Sequence, residues 1–350
     1  MDTKEFLFRI CDSSGVSGYE SETAGLIKDA FTPVCDEVNI DKLGNVIALK
    51  KGKGKGKVAF FSHMDEIGLV VLDFAGNGFL HFTQIGGYDQ RTLLGQEVII
   101  HGQNGTKKVF GVIGIKPPHL NTPEDVGKSV KMSDMLIDTG YTEEQLKKLV
   151  KTGDIITINR QCIELKGDNV AGKAMDDRAC VAVMYEAAKL LKDFNHDMDV
   201  YFVSTTQEEV TFRGAQTSAY AIYPDIGVAL DVGFAKTPEL KPTIEAGKGP
   251  AIAMGPNSHP KVVDMLKTAA KDNGIPYQVE VMTSGHSGTD ATAVQIVRCG
   301  VASCVISLPL KYMHTSVETA MMKDITQTAR LIAAMIMGLN GKDMEEALCL

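Results

Sequence analysis

Several apolar runs in this chain stop abruptly in residues that can hold a metal ion or move a proton. Val58-Ala59-Phe60-Phe61 runs into Ser62-His63-Met64-Asp65-Glu66, and Val200-Tyr201-Phe202-Val203 leads to Gln207-Glu208-Glu209. Gly227-Val228-Ala229-Leu230 meets Asp231, and Cys304-Val305-Ile306-Ser307-Leu308 is soon followed by Met313-His314. Ala174-Met175-Asp176-Asp177 stands directly before a long helical pattern. If the runs are strands of an open α/β sheet, their carboxyl ends form the ligand crevice. Histidines and carboxylates would then converge on one edge, a mixed N/O donor set that suits zinc, cobalt or manganese. Five donors exceed what one open tetrahedral catalytic site uses. They suit two ions that share a bridging carboxylate and keep a position for water. Adjacent Glu208 and Glu209 point opposite ways on an extended backbone, so one would bind metal while the other faces the crevice as a base. Each feature alone has an ordinary explanation: a core histidine, a solvated Glu pair, an aspartate capping a helix. Their recurrence at successive strand ends favours a metal site.

The elements that must position these residues fall into two textures. Glu5-Phe6-Leu7-Phe8-Arg9-Ile10 begins an amphipathic helix, and Ser17-Gly18-Tyr19-Glu20 has capping-box spacing for a second helix through about Thr32. Strands are predicted over 45–50 and 57–62, with Lys51-Gly52-Lys53-Gly54-Lys55-Gly56-Lys57 as a solvated hairpin loop rather than a nucleic-acid tail. From about 69 to 165, short strands punctuated by turns, with one helix over 142–151, suggest a small β-barrel that the crevice itself does not need. Beyond Asn169 the pattern alternates. Helices are predicted over 177–194, 260–272 and 325–337, and strands over 199–206, 226–230, 277–282 and 303–308. The fold class is therefore α/β: a domain of residues 1–68 and 166–350 with helices on both sheet faces, carrying a β-barrel domain of residues 69–165.

Composition narrows the function classes. Of 350 residues, 44% are hydrophobic and 23% charged, as in a globular protein rather than a disordered chain. A net charge of −8 argues against nucleic-acid binding by general electrostatics. The longest nearly unbroken apolar run, Leu331 to Leu339, is far short of the roughly 20 residues of a membrane span. Met1-Asp2-Thr3-Lys4-Glu5 lacks the look of a secretory signal. The seven cysteines are odd in number, and none forms a C-x-x-C pair. They read as reduced thiols, and the expected location is cytoplasmic.

Two familiar motifs fail. Gly127-Lys128-Ser129 resembles the end of a phosphate-binding loop, but Thr122 stands where that loop needs glycine. Ser287 in Gly285-His286-Ser287-Gly288-Thr289 lacks the second glycine of a nucleophile elbow, and a triad with His286 and Asp290 would need loop neighbours to do the work of separate elements.

Ser62-His63-Met64-Asp65-Glu66-Ile67-Gly68, Ala174-Met175-Asp176-Asp177-Arg178, Gln207-Glu208-Glu209-Val210, Arg213-Gly214-Ala215, Leu230-Asp231-Val232 and Tyr312-Met313-His314 together resemble the tetrahedral-aminopeptidase family of dinuclear metallo-aminopeptidases. Glutamyl and leucyl aminopeptidases belong to it, as do proteins labelled endoglucanases. Gly15 to Glu20, Gly44-Asn45-Val46 and Gly288-Thr289-Asp290-Ala291 extend the match, in order, over nearly the whole chain. The resemblance implies a three-layer α/β/α metallopeptidase domain, an inserted β-barrel used in oligomerisation, and removal of N-terminal residues from short peptides. It assigns His63 and Asp231 to one metal, Glu209 and His314 to the other, and Asp176 as the bridge beside a cis peptide. Glu208 would be the general base, and Asp65 the carboxylate that orients a ligating imidazole. Two divalent ions per subunit are implied, zinc or cobalt first and manganese also compatible, and a homo-oligomer from a dimer up to a tetrahedral dodecamer. No organic cofactor is expected. Cys180 and Thr211 replace usual glycines, while Lys311 and Thr315 flank His314 where Arg and Ser are common; Lys311 and Thr211 bear on substrate preference.

Two rivals remain. An endo-β-1,4-glucanase would use paired carboxylates, such as Glu208 with Glu209 or Asp231, but it needs no strand-end histidines, and this chain has no Trp for a sugar platform. A non-catalytic binding or shell protein of the same fold would be expected to have lost a ligand, yet all five positions and the base are present.

Overall fold

The computed structural model describes residues 1–120, 128–240, 244–282 and 288–349. Thr122 and Gly127 of the failed phosphate-loop motif, and Gly285, His286 and Ser287 of the failed elbow, lie outside the described residues.

Helices α1 (Thr3–Asp12) and α2 (Ser21–Phe31) precede strands β1 (Glu37–Ile40), β2 (Val46–Lys50) and β3 (Lys57–His63). Six strands then close a barrel: β4 (Gly68–Gly76), β5 (Phe79–Ile85), β6 (Glu97–Gly102), β7 (Lys107–Ile113), β8 (Ile137–Asp138) and β9 (Ile155–Ile158). The short helix α3 (Glu143–Lys147) leads into β9, opened by a capping box between Thr142 and Gln145. Strands β10 (Ile163–Glu164) and β11 (Asn169–Gly172) return the chain to helix α4 (Met175–Leu190). There follow β12 (Asp199–Thr205), α5 (Arg213–Ile222), β13 (Ile226–Phe234), β14 (Ala251–Met254), α6 (Pro260–Asp272) and β15 (Gln278–Val281). The chain closes with α7 (Ala291–Val294), β16 (Ala302–Leu310), β17 (Glu318–Met321), α8 (Met322–Gly338) and α9 (Met344–Leu348).

The main sheet runs β1-β2-β12-β3-β13-β16-β14-β15, with β12, β3, β13 and β16 mutually parallel at its centre. These strands are buried on both faces, which explains their nearly continuous apolar runs. Phe60 and Phe202 stack at 5.9 Å on one face, in a core shared with α1, α2, α4, α6 and α8. Neighbouring Phe61 and Val203 point to the opposite face, where α5 and α7 cover them. This alternation makes the domain three layers deep. The barrel fills separately with Leu69, Leu80, Val98, Ile100, Ile137 and Ile156.

Two local expectations need correction. The Lys-Gly run does not join a hairpin: β12 lies between β2 and β3, antiparallel to the first and parallel to the second. The run instead crosses the start of β12, where Gly52 donates its N–H to Asp199 and approaches the Met198 carbonyl so closely that a Cβ would lie 2.2 Å from it. Ser17 and Glu20 do not form a capping box on α2 either. Ser17 Oγ donates to Asp65, and Glu20 accepts from Gly18 N, Thr206 Oγ and Gln207 N. Both side chains brace the crevice rather than the helix.

Arg178, wholly inaccessible to solvent, locks α1 and the loop after it against the end of β3. Its guanidinium donates to the carbonyls of Met64 (2.8 Å), Ile10 (2.6 Å) and Ser13 (3.0 Å), with Glu66 at 3.4 Å. Lys173 meets the other oxygen of Glu66 at 2.7 Å. Gly15 is required here, since a Cβ would stand 2.5 Å from the Arg178 guanidinium. Arg178→Met should lower the urea unfolding midpoint, with a loss of about 3–5 kcal/mol, because buried acceptors and part of the Glu66 charge lose their partner. An unchanged midpoint would show that Lys173 alone sustains the network.

Candidate active site

The polar strand-end residues meet at one edge of the central sheet. His63 is the last residue of β3, and its Nδ1 lies 3.1 Å from the Asp65 carbonyl oxygen and 3.6 Å from the Asp65 carboxylate. With acceptors on that side, the proton belongs on Nδ1 and Nε2 is left with its lone pair. Asp65 is fully buried and also accepts from Ser17 Oγ (2.6 Å), Glu208 N (3.0 Å) and Glu209 N (3.2 Å). One carboxylate thus fixes an imidazole and the two glutamates together.

The glutamates do not lie on extended backbone, contrary to the sequence expectation. β12 ends at Thr205, Gln207 has φ +61°, and residues 208–210 form a turn. The turn is held by Asp65, by Glu20 and by Asn45, whose Oδ1 accepts from Thr206 N at 3.1 Å. Glu208 reaches His63, its Oε2 3.7 Å from Nε2, while Glu209 reaches His314, its Oε2 3.4 Å from Nε2. The turn, not the pleat, separates the pair.

Asp176 sits between the imidazoles, Oδ1 at 3.2 Å from His63 Nε2 and Oδ2 at 3.2 Å from His314 Nε2. A cis peptide joins it to Asp177. Glu318, the first residue of β17, accepts the backbone N–H of both Asp176 (3.0 Å) and His314 (2.8 Å) and so clamps one to the other. Asp231 lies inside β13, which continues to Phe234, rather than just beyond a strand ending at 230. It forms a compact donor group with His63 and Asp177, and a second such group comprises His63, Asp176 and Glu209.

Asp177, Glu318 and the barrel's contribution are not evident from the sequence alone. Asp177 looked like the spare member of a pair, yet it is fully buried and accepts from Ser62 Oγ at 2.6 Å. Glu318 stands in an unremarkable run and could be found only by following hydrogen bonds. The barrel does touch the crevice, against expectation. A Cβ on Gly87, after β5, would stand 3.4 Å from His314 Nδ1, and Gln96 Nε2 donates to Ser316 Oγ at 3.0 Å. Lys311 and Thr211 do not line the crevice, a cavity of about 410 Å³. A larger hollow of about 1280 Å³, between α6, α8 and α9, contains none of these residues.

Charge is badly unbalanced here. Burial pushes the Glu208 carboxyl well up, and nearby Asp231, Asp290 and Glu209 add to the effect. Glu209 is raised to about 8 by burial and by Asp176. Asp231 and Asp177 are also raised, first by burial and then by neighbouring carboxylates. Asp176 goes the other way: burial opposes its charge, but hydrogen bonds with His314 and His63 hold it below the usual range. His314 rises to about 9, chiefly through that bond. Two imidazoles cannot neutralise this many carboxylates. In addition, among the described residues Glu209 Oε1 and Asp177 Oδ1 are buried with no hydrogen-bond partner assigned to them. Orphaned carboxylate oxygens beside imidazole nitrogens fit divalent cations, which would satisfy both charge and coordination.

Comparison with known proteins agrees. A model of the M42 glutamyl aminopeptidase family matches residues 44–331. A lysyl aminopeptidase from Pyrococcus furiosus is 39% identical over 97% of this chain and 98% of its own length. Among solved structures, an aminopeptidase from the archaeon Desulfurococcus kamchatkensis superposes with a TM-score of 0.91 at 35% identity, covering 99% of this chain and 98% of that one. A Pyrococcus horikoshii peptidase, described as able to assemble into a tetrahedron or a large octahedral shell, gives 0.85 at 32% identity over 96% and 99%. With the family model spanning most of its length and relatives this similar from end to end, the chain belongs to the M42 glutamyl aminopeptidase family and is a metal-dependent aminopeptidase.

Proposed function

We propose that the chain removes N-terminal residues from short peptides using two divalent ions, zinc or cobalt with manganese as a third candidate, and Glu208 as general base. The observation that carries this reading is Asp176, whose two carboxylate oxygens face different imidazoles at equal distance. On that basis His63 and Asp231 would hold one ion, Glu209 and His314 the other, and Asp176 both, with Asp177 beside the first. Such ions, when bound, polarise the scissile carbonyl and bring the pKa of a bound water near neutrality. Glu208 supplies the proton transfer: its buried carboxyl has a raised proton affinity and lies 3.7 Å from His63 Nε2. It would take the proton of the attacking water and deliver it to the departing amine. Asp65 keeps His63 in its ligating tautomer and fixes the amides of both glutamates, which makes it a positioning residue.

The same proposal covers assembly and location. We take residues 69–165 as an inserted module that pairs subunits, giving at least a dimer and a dodecameric tetrahedral shell as the full state. Leu72, Phe110 and Ile115 support this reading as exposed apolar side chains on or beside barrel strands. The cysteines of the chain are free thiols, in keeping with a cytoplasmic setting. Among the described residues no helix is long and apolar enough to cross a membrane.

Glu208→Gln should lower kcat by roughly 10²-fold or more while metal content stays near two ions per chain. Glu209→Gln should instead lower metal content, and chelation of the wild type should abolish activity that zinc or cobalt restores. Elemental analysis beside kinetics distinguishes the two roles; equal metal loss in both variants would overturn the assignment.

An aminopeptidase also requires the free α-amine. A matched N-acetylated peptide should be cut at least ~100-fold more slowly, about 2.7 kcal/mol of transition-state stabilisation. Internal cleavage seen by mass spectrometry would point to a different hydrolase, and release of reducing sugar from β-glucan to the glucanase reading. Light scattering of the metal-loaded protein should give a mass of at least two chains. An active species of 37.8 kDa at all concentrations would remove the shell from the proposal.

A further inference from the structure

The two imidazoles of the crevice are held by different means. His63, its side chain 3% exposed, is fixed through its ring, with Nδ1 toward Asp65. The His314 side chain is 40% exposed, so packing alone does not hold it. It lies on the loop between β16 and β17, where it and Tyr312 take left-handed backbone, φ +61° and +64°. That conformation is unfavourable for residues with a Cβ and persists only where the surroundings enforce it. Lys311 and Thr319 exchange backbone hydrogen bonds across the neck of the loop, each at 3.1 Å. Thr315 Oγ donates to the Tyr312 carbonyl at 2.7 Å and accepts from Val317 N at 3.2 Å. The third restraint is Glu318, whose Oε1 accepts the His314 N–H at 2.8 Å.

Glu318 also reaches a second element. Its Oε2 accepts the Asp176 N–H at 3.0 Å, a first-turn amide of α4 that has no partner within the helix. Ala174, at the N-cap, has no side chain that could serve instead. Both oxygens of one carboxylate are thus committed to the main chains of two residues that face each other across the crevice. Glu318 is itself firmly placed: it is 2% exposed, and β17 pairs with β11 so that it stands level with Gly172. The next residue, Lys173, is bonded to Glu66 at 2.7 Å. The spacing of His314 and Asp176 is thereby referred to the fully paired Glu66 cluster.

We propose that Glu318 is the positioning residue of the second metal position, holding His314 at bridging distance from Asp176 through their backbones. This rests on the two-metal reading above. The ion between Glu209 and His314 then depends on Glu318. The ion between His63 and Asp231 has supports of its own, Asp65 behind His63 and β13 beneath Asp231. Losing the clamp therefore weakens the two positions unequally. Glu318→Gln is the suitable probe, because it keeps the shape but replaces one acceptor oxygen with an NH2 group that meets a backbone N–H head-on.

The test titrates the metal-stripped full chain with cobalt chloride in a calorimeter. The wild type should take up two ions per chain. Glu318→Gln should bind the first with unchanged affinity and the second roughly 10- to 100-fold more weakly, the usual cost of losing a group that orients a metal ligand. The visible absorption contributed by the second equivalent of cobalt should change in the variant, and that of the first should not. Equal weakening of both ions, or a second affinity that matches the wild type, overturns the role of Glu318 and leaves the two-metal reading standing. A wild type that takes up fewer than two ions defeats that reading and this inference with it. Should Glu318→Gln fail to fold, amide hydrogen exchange on the metal-free wild type reads the clamp directly. The His314 and Asp176 amides should exchange at least ~100-fold more slowly than amides of exposed loops. Rapid exchange at either amide overturns the proposal.

Discussion

The rest of this molecule is arranged around the burial of carboxylates with too few protein cations beside them. Asp65, Asp176, Asp177, Glu208 and Asp231 are each under a tenth exposed, and Glu209 joins them, against the imidazoles of His63 and His314. Removing a carboxylate from water costs several kcal/mol even after relaxation. The chain offsets part of this with directed donors: Ser17 and two amides on Asp65, Ser62 on Asp177, and a backbone amide on Asp231. What they leave uncompensated is negative charge of the kind a divalent cation neutralises. The fold invests its buried polar groups where cations are to be received, not where they would add most stability.

The same constraint explains the fully compensated cluster close by. Glu66 follows Asp65 in sequence but faces the other way, toward Lys173 and Arg178, which hold its carboxyl below the usual range against the cost of burial. One acid is given permanent protein partners and its neighbours are not. The Glu66 cluster makes the frame rigid, so that the end of β3 and the start of α4 keep a fixed distance. The Asp176 cluster lies beside that frame without sharing its cationic partners.

The inserted barrel enters this arrangement more closely than an appended module would. The chain leaves the sheet just after Glu66 and returns through β10 and β11 to Asp176, so the insertion is bounded by crevice residues at both ends. β11 then pairs with β17, which places Glu318 beneath Asp176 and His314. The loop after β5 lies against the His314 ring and the Ile67 and Glu209 side chains. The barrel thus reaches the side chains of His314 and Glu209 directly.

Much of the site was legible in the sequence because strand termination and residue chemistry are local properties. Apolar runs that end in His63, Glu208, Glu209 and His314 identify the crevice edge without coordinates, and the order of the motifs identifies the family. The barrel texture was equally clear from its turns. Tertiary structure decided what depends on contacts between segments distant in sequence. Whether Ser17 and Glu20 cap a helix or brace the crevice turns on the approach of residues 65 and 206, which no local pattern encodes. The Lys-Gly run looks like a hairpin loop because sequence neighbours usually pair, but β12 from 150 residues later takes the intervening place. Asp177 and Glu318 stayed hidden for a related reason. A carboxylate's role follows from its burial and from the donors facing it, and the folded sheet brings those donors from strands far apart in the chain.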